Sequence, residues 1–310
     1  MAIFIHILLT NVLPMGIMVG LGIILQRSFS LDIKTLSKLN FYLFSPAIMF
    51  DLIYHTAISV GLLGQVLLFF VIFMAGQYIL VEAAIRARGY GPSMKSAMRN
   101  SVLFYNSANY GIPLNQLAFS GNKETLAIQV LIMMTQSFVP NTYGVYSVNA
   151  HKADMKQVWR TILSMPVIYV IPLAFLMRVF EVPVPGPIAT PIGYLSDAFI
   201  GTALITLGVQ LGSMEWRINR SLLIDVSLSG ILRLIAGPAL AWLIVWLMGL
   251  DKLTAAALIV SSAVPTSLSS VLLAVEFDNE KEFASQAVFV STLVSILTVT
   301  AVIFFLRIDA

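Results

Sequence analysis

The chain has 310 residues, of which 58% are hydrophobic and 11% charged, with a mean hydropathy of +0.90 and a formal net charge of +3. An ordinary globular domain carries about a quarter charged residues, so this chain has too few charges to coat a water-soluble fold, and a polytopic membrane protein is expected. The absence of cysteine removes disulfides, thiol chemistry and thiolate metal sites.

Spans of about 20 apolar residues fall in chain order at roughly 3–25, 36–54, 60–84, 97–119, 125–149, 161–180, 188–212, 222–248, 252–275 and 283–306. The first has no basic leader and no small-residue cleavage site, so it is expected to be a retained span. Connections are short, and no separate soluble domain is expected. An even number of spans places both termini on one side. Arg27, Lys34, Lys38, Arg86, Arg88, Lys95, Arg99, Lys152, Lys156, Arg160, Arg217, Arg220 and Lys281 fall on one face, 13 of the 18 Lys and Arg residues, against Lys123, Arg178, Lys252 and Arg307 on the other. The positive-inside rule makes the first face cytoplasmic and both termini non-cytoplasmic, in a multi-pass protein of the cell membrane. The same distribution explains the pI of about 9.1 as topology, with no nucleic-acid partner.

Two stretches share a pattern. "PLNQLAFSGNKETLAIQVLIMMTQS" from Pro113 and "PTSLSSVLLAVEFDNEKEFASQAVFVSTLVS" from Pro265 each run from a mid-span proline through a half-helix to a polar loop, then into an apolar helix near Gln129 or Gln286. The prolines fall in the fourth and ninth spans, which are equivalent positions if residues 1–150 and 151–310 are two five-helix halves. Five is odd, so the halves are inverted, with the seam in the basic loop at 151–160. A proline inside a helix removes a backbone hydrogen bond and clashes with the preceding turn. In lipid, the freed groups need protein or a wet cavity around them. Two such breaks therefore point to a central binding site, whose half-helix N-termini suit an anion. Asn106, Asn109, Tyr110, Gly111 and Pro113 on one side and Pro265, Thr266, Ser267 and Ser269 on the other are the candidate substrate-binding residues. The bland alternative is a pair of ordinary proline kinks whose hydroxyls bond their own helices.

Other intramembrane polar residues form a second set, candidates for coupling or ion binding. Arg233, deep in the eighth span, is functional by default or else pairs with Asp225 or Asp197. Asp197 in the seventh span is the proton or cation candidate, whereas Asp51 is expected to be interfacial and ionised. Gln136 and Asn141 flank Pro140 in the fifth span, and face the same cavity or bond between helices. His6, His55 and His151 are scattered and suggest no metal site, and no motif for hydrolysis, nucleotide binding or another cofactor is present.

"NSANYGIPL" followed by "FSG", together with the segment from Val264 onward, resembles the auxin efflux carrier family, in particular its bacterial malate or malonate permeases. The resemblance covers essentially the whole chain. It implies an all-α membrane protein of ten transmembrane helices, arranged as two inverted repeats with broken, crossing helices four and nine, the PIN-like fold akin to the bile acid/sodium symporters. It also implies a scaffold domain, a crossover transport domain, and an organic anion bound where the broken helices cross. Relatives often have Asn shortly after the second proline, where this chain has Ser269. The expected function is secondary active transport of a small carboxylate or dicarboxylate by alternating access, not enzymatic catalysis. A non-coupled channel or membrane sensor on the same fold is the alternative. The expected partners are the organic anion, a coupling proton or sodium ion and the lipid bilayer, with a homodimer left open.

Overall fold

A bilayer core offers no partners for backbone N–H and C=O groups, so apolar runs satisfy them internally as helices. The computed structural model describes residues 2–56, 58–144, 147, 160, 163–214 and 220–308, without the side chains of Ala2, Asn141 and Val167. In chain order these residues form α1 (Ile3–Phe29), α2 (33–55), α3 (Val60–Arg88), α4a (Pro92–Leu103), α4b (Gly111–Ala118) and α5 (Lys123–Val139). They continue as α6 (Val167–Val179), α7 (Gly186–Ser213), α8 (Arg220–Met248), α9a (Lys252–Ser262), α9b (Ser269–Glu276) and α10 (Lys281–Leu306). Among the described residues there is no strand, only one isolated antiparallel bridge between Tyr105 and Thr266. By length and composition α1, α3, α7, α8 and α10 can each cross a membrane. The seam expected at 151–160 lies outside the described residues apart from Arg160.

Helix starts follow local chemistry. Asp32 caps α2, accepting the Thr35 hydroxyl at 2.5 Å and the Lys34 and Thr35 N–H groups at 3.2 Å; the Thr35 hydroxyl foremost holds its carboxyl below the usual carboxylate range. Ser59 caps α3, Asn122 caps α5 and Asp251 caps α9a in the same manner. Pro92 sits in the first turn of α4a, where a missing N–H is harmless, and the helix begins there instead of at the expected 97.

Among the described residues four π turns interrupt the long helices: Leu8–Val12, Asn40–Phe44, Pro140–Gly144 and Leu232–Ala236. Three of them immediately precede a proline in the next helical turn, Pro14, Pro46 or Pro238. A proline ring displaces the carbonyl four residues back, and one extra residue in the turn absorbs the displacement without breaking the rod.

The helices sort into two packed groups. α7 lies along α1 and α2, and α6 lies on α2. The first crossing is very close: a Cβ on Gly22 would stand 2.3 Å from the Ile205 carbonyl oxygen, and one on Gly208 would stand 2.1 Å from that of Val19. Only glycine permits this backbone approach. In the second group α3 packs on α4a, α5 and α8, α9a on α5 and α8, and α10 on α8 and α9b. Its edges are tied by Glu82 with Arg99 between α3 and α4a, and by Arg88 with Asp225 between α3 and α8 at 3.2 Å.

Candidate functional site

α4 and α9 are both interrupted mid-helix, and the two gaps lie side by side. The Asn106 N–H donates to the Pro265 carbonyl at 2.9 Å, and the Ser267 N–H donates to that of Phe104 at 2.8 Å. An interrupted helix leaves its last carbonyls without partners, and here each found partner is identifiable. Ser101 O accepts the Thr266 hydroxyl at 2.8 Å, Val102 O accepts Arg233 Nη1 at 3.2 Å, and Leu103 O accepts Gln136 Nε2 at 2.8 Å. At the end of α9a, Ser262 O accepts Arg233 Nη2 and Val264 O accepts Arg233 Nε at 3.2 Å. Asn106 closes the first gap: its side-chain oxygen accepts the Asn109 N–H at 3.1 Å, and its carbonyl accepts the Gly111 N–H at 2.9 Å. Ser267 does likewise in the second, its Oγ accepting the Ser269 N–H at 3.3 Å.

In front of these gaps lies a cavity of about 450 Å³. Its wall takes Ser37, Lys38, Asn40 and Ser45 from α2, Asn106, Ser107 and Asn109 from the first gap, and Gln136 and Ser137 from α5. Gln210 of α7 and Ser267 and Ser269 of the second gap complete the polar part. Tyr105, Met49, Met133 and Leu272 supply apolar surface. Among the described residues Lys38 is the one formally charged residue on this wall, and no carboxylate stands there. The cavity lies between the two packed groups, since α2 and α7 belong to the first and α4, α5 and α9 to the second. Lys38 is exposed, so the cavity extends toward the end of α2 that holds Lys34 and Lys38.

Of the residues expected at the site from sequence, Asn106, Asn109, Ser267 and Ser269 line the cavity, and so does Gln136. Others support the gaps from behind. The Tyr110 hydroxyl accepts from Ser295 Oγ of α10 at 2.9 Å. Gly111 leaves room for Gln129, whose Nε2 reaches the Ser107 carbonyl at 2.8 Å; a Cβ on Gly111 would stand 2.4 Å from that nitrogen. Pro113 is in the first turn of α4b, so the gap precedes it, and the residues departing from helix are 104–110. Thr266 is buried, with its N–H on Ser291 Oγ at 3.2 Å. Pro265 acts through its carbonyl, as above.

The second set is dispersed. Asp197 is exposed on α7, away from the cavity. Asp51 meets His55 at 3.0 Å and Ser196 at 3.3 Å near the end of α2. Arg233 pairs with neither Asp197 nor Asp225; its partners are the carbonyls of the two gaps, with its guanidinium carbon 4.5 Å from the Tyr105 ring centroid. The backbone of Asn141 is in the π turn that ends α5, and its side chain lies outside the described residues. Among the described residues no cluster of three His, Asp or Glu side chains could hold a metal ion. Sequence reasoning missed Lys38, Asn40 and Gln210. Lys38 was absorbed into the topology argument, and the only signal for Asn40 and Gln210 is an amide inside an apolar span.

Residues 7–303 match the family model described as "Membrane transport protein". The chain belongs to this family. It is the auxin efflux carrier family that the proline-centred motifs resemble. An uncharacterized transporter of Methanothermobacter thermautotrophicus is 23% identical over 293 residues, covering 93% of this chain and 95% of its own length. Family membership and the apolar helices together make the chain a multi-pass membrane protein.

Proposed function

We propose that the protein is a secondary transporter of a small organic anion, a carboxylate or dicarboxylate, working by alternating access. The observation that carries this reading is the charge of the cavity wall, which among the described residues has one lysine and no carboxylate, with amides, hydroxyls and the approaches to two half-helices. Half-helix N-termini carry partial positive charge; the first N–H groups of α4b and α9b are held by Asn106 O and Ser267 Oγ, so the helix starts act on a ligand through their field and the amides and hydroxyls of the wall supply the hydrogen bonds. An anion is the ligand such a wall stabilises, and a volume of about 450 Å³ suits a small molecule.

In this reading the chain is two inverted five-helix repeats. The group α1, α2, α6 and α7 is the scaffold, and the group carrying the crossing helices α4 and α9 moves against it. The basic face is cytoplasmic and both termini are outside. Among the described residues the wall offers no Asp, Glu or His, and in this reading a co-transported proton travels on the substrate's own carboxyl group.

Uptake of labelled succinate into proteoliposomes, with and without imposed pH or Na⁺ gradients, tests the reading. Saturable uptake driven by an inward proton gradient is expected, falling about tenfold in Asn109→Ala, which removes an amide from the wall. Sodium dependence would replace the proton, and linear, non-exchanging flux would make the protein a channel. Folded protein that moves no carboxylate refutes the anion assignment.

A further inference from the structure

Arg233 is the largest fully buried side chain among the described residues. Its hydrogen bonds go to the Val102, Ser262 and Val264 carbonyls, with no carboxylate partner among the described residues. Arginine keeps its proton in proteins, so a full positive charge is held here against partial ones. Val102 and Ser262 stand at the C-terminal ends of α4a and α9a, where each helix concentrates about half a negative charge, and Val264 follows in the second gap. Left bare, both ends would repel an anion. The guanidinium stands close behind the cavity: its carbon is 4.5 Å from the ring centroid of Tyr105, a residue of the wall.

We propose that Arg233 is a positioning residue that sets the charge selectivity of the cavity. It binds both gaps with one fork and cancels the negative ends of α4a and α9a, so that the ligand experiences the positive starts of α4b and α9b. This inference rests on the anion reading above. Its consequence is a preference for dianions over monoanions. At roughly 10 Å and an effective permittivity of about 20, one unit of protein charge changes affinity about tenfold per unit of ligand charge.

A neighbour supplies a variant that changes the charge and keeps the fork. Gln77 of α3 is fully buried with both amide atoms unpaired. A Cβ on Gly237 would stand 2.8 Å from Gln77 Nε2 and 3.4 Å from Arg233 Nη2, so the two side chains flank the same glycine. Gln77→Glu, near-isosteric, gives Arg233 a counter-ion.

The experiment compares succinate with butyrate, a dianion and a monoanion of equal chain length, by calorimetric titration of the purified full chain at neutral pH. In Arg233→Gln and in Gln77→Glu the ratio of the butyrate Kd to the succinate Kd is expected to fall about tenfold, and Arg233→Lys is expected to restore it to within about threefold of wild type. Weakening of both ligands by equal factors, or an unchanged ratio in Gln77→Glu, overturns the inference and leaves Arg233 a packing residue. If Arg233→Gln does not elute as a folded species, Gln77→Glu decides alone. Wild type that binds neither probe refutes the anion reading itself, and a wild type that binds with variants unchanged refutes only the role of Arg233.

Discussion

Lys38 shows how one residue can serve two levels of description. Its position among Arg27 and Lys34 makes it part of the basic face that orients the chain, and its place on the cavity wall makes it the cation nearest an entering anion. Two unit charges about 4 Å apart in water interact by about 1 kcal/mol. Reversal of the sign doubles that difference, so Lys38→Glu is expected to raise the KM for succinate uptake by about thirtyfold, and Lys38→Ala by about fivefold. Because Lys38 is exposed, both effects shrink as salt rises from 0.05 to about 0.5 M, through screening. A KM that does not move, or moves without salt dependence, removes Lys38 from the binding site. The amides of the gaps act differently. Asn106 uses its side-chain oxygen to hold the Asn109 N–H, and Gln136 spends its amide nitrogen on Leu103 O. These residues stabilise the non-helical backbone while presenting their remaining surface to the cavity.

At the scale of elements, the apolar runs and the positions of the two interruptions were legible in the sequence, because each follows from short-range chemistry. The extent of each gap was not. Pro113 was expected at the centre of the first, but a proline in a first helical turn lacks nothing the helix needs. What breaks α4 is the long-range exchange of hydrogen bonds between 104–106 and 265–267, which no local pattern encodes. The glycine crossing of α1 and α7 was equally hidden, since Gly22, Gly208 and Gly212 lie in spans that contain other glycines with open space around them. That contrast is testable. Gly208→Ala places a methyl 2.1 Å from a backbone oxygen, and overpacking of this kind costs about 1–3 kcal/mol. The apparent Tm in detergent is expected to fall by several degrees, whereas Gly16→Ala, which meets nothing within 4 Å, is expected to leave it unchanged or slightly raised. Equal effects from the two variants would mean that α1 and α7 do not meet at Gly208.

At the scale of the molecule, the proposed orientation decides which side the cavity opens to. The wall draws Ser37 to Met49 from α2, Met133 to Pro140 from α5 and Gln210 from α7. Apart from Ser45 and Met49, which stand just past the midpoint of α2, each of these lies between the middle of its helix and the end on the basic face, so the proposed orientation makes this an inward-open arrangement. The chain has no cysteine, so a single introduced thiol reports accessibility without background. Ser137→Cys and Ser269→Cys, both on the wall, are expected to react with a membrane-impermeant maleimide in inside-out vesicles and to react at least about tenfold more slowly in right-side-out vesicles. Saturating succinate should slow the first reaction, since the ligand covers the wall. Alternating access adds a further condition: an outward succinate gradient shifts the population of carriers, so labelling from the outer side rises while labelling from the inner side falls. Thiols that label equally from both sides at all times describe a continuous pore, which is the channel alternative. Thiols that label only from the outer side invert the topology inferred from the basic loops while leaving the helix packing intact. The three outcomes separate because orientation, gating and binding each depend on a different property of the same wall: which face it opens to, whether it closes, and what occupies it.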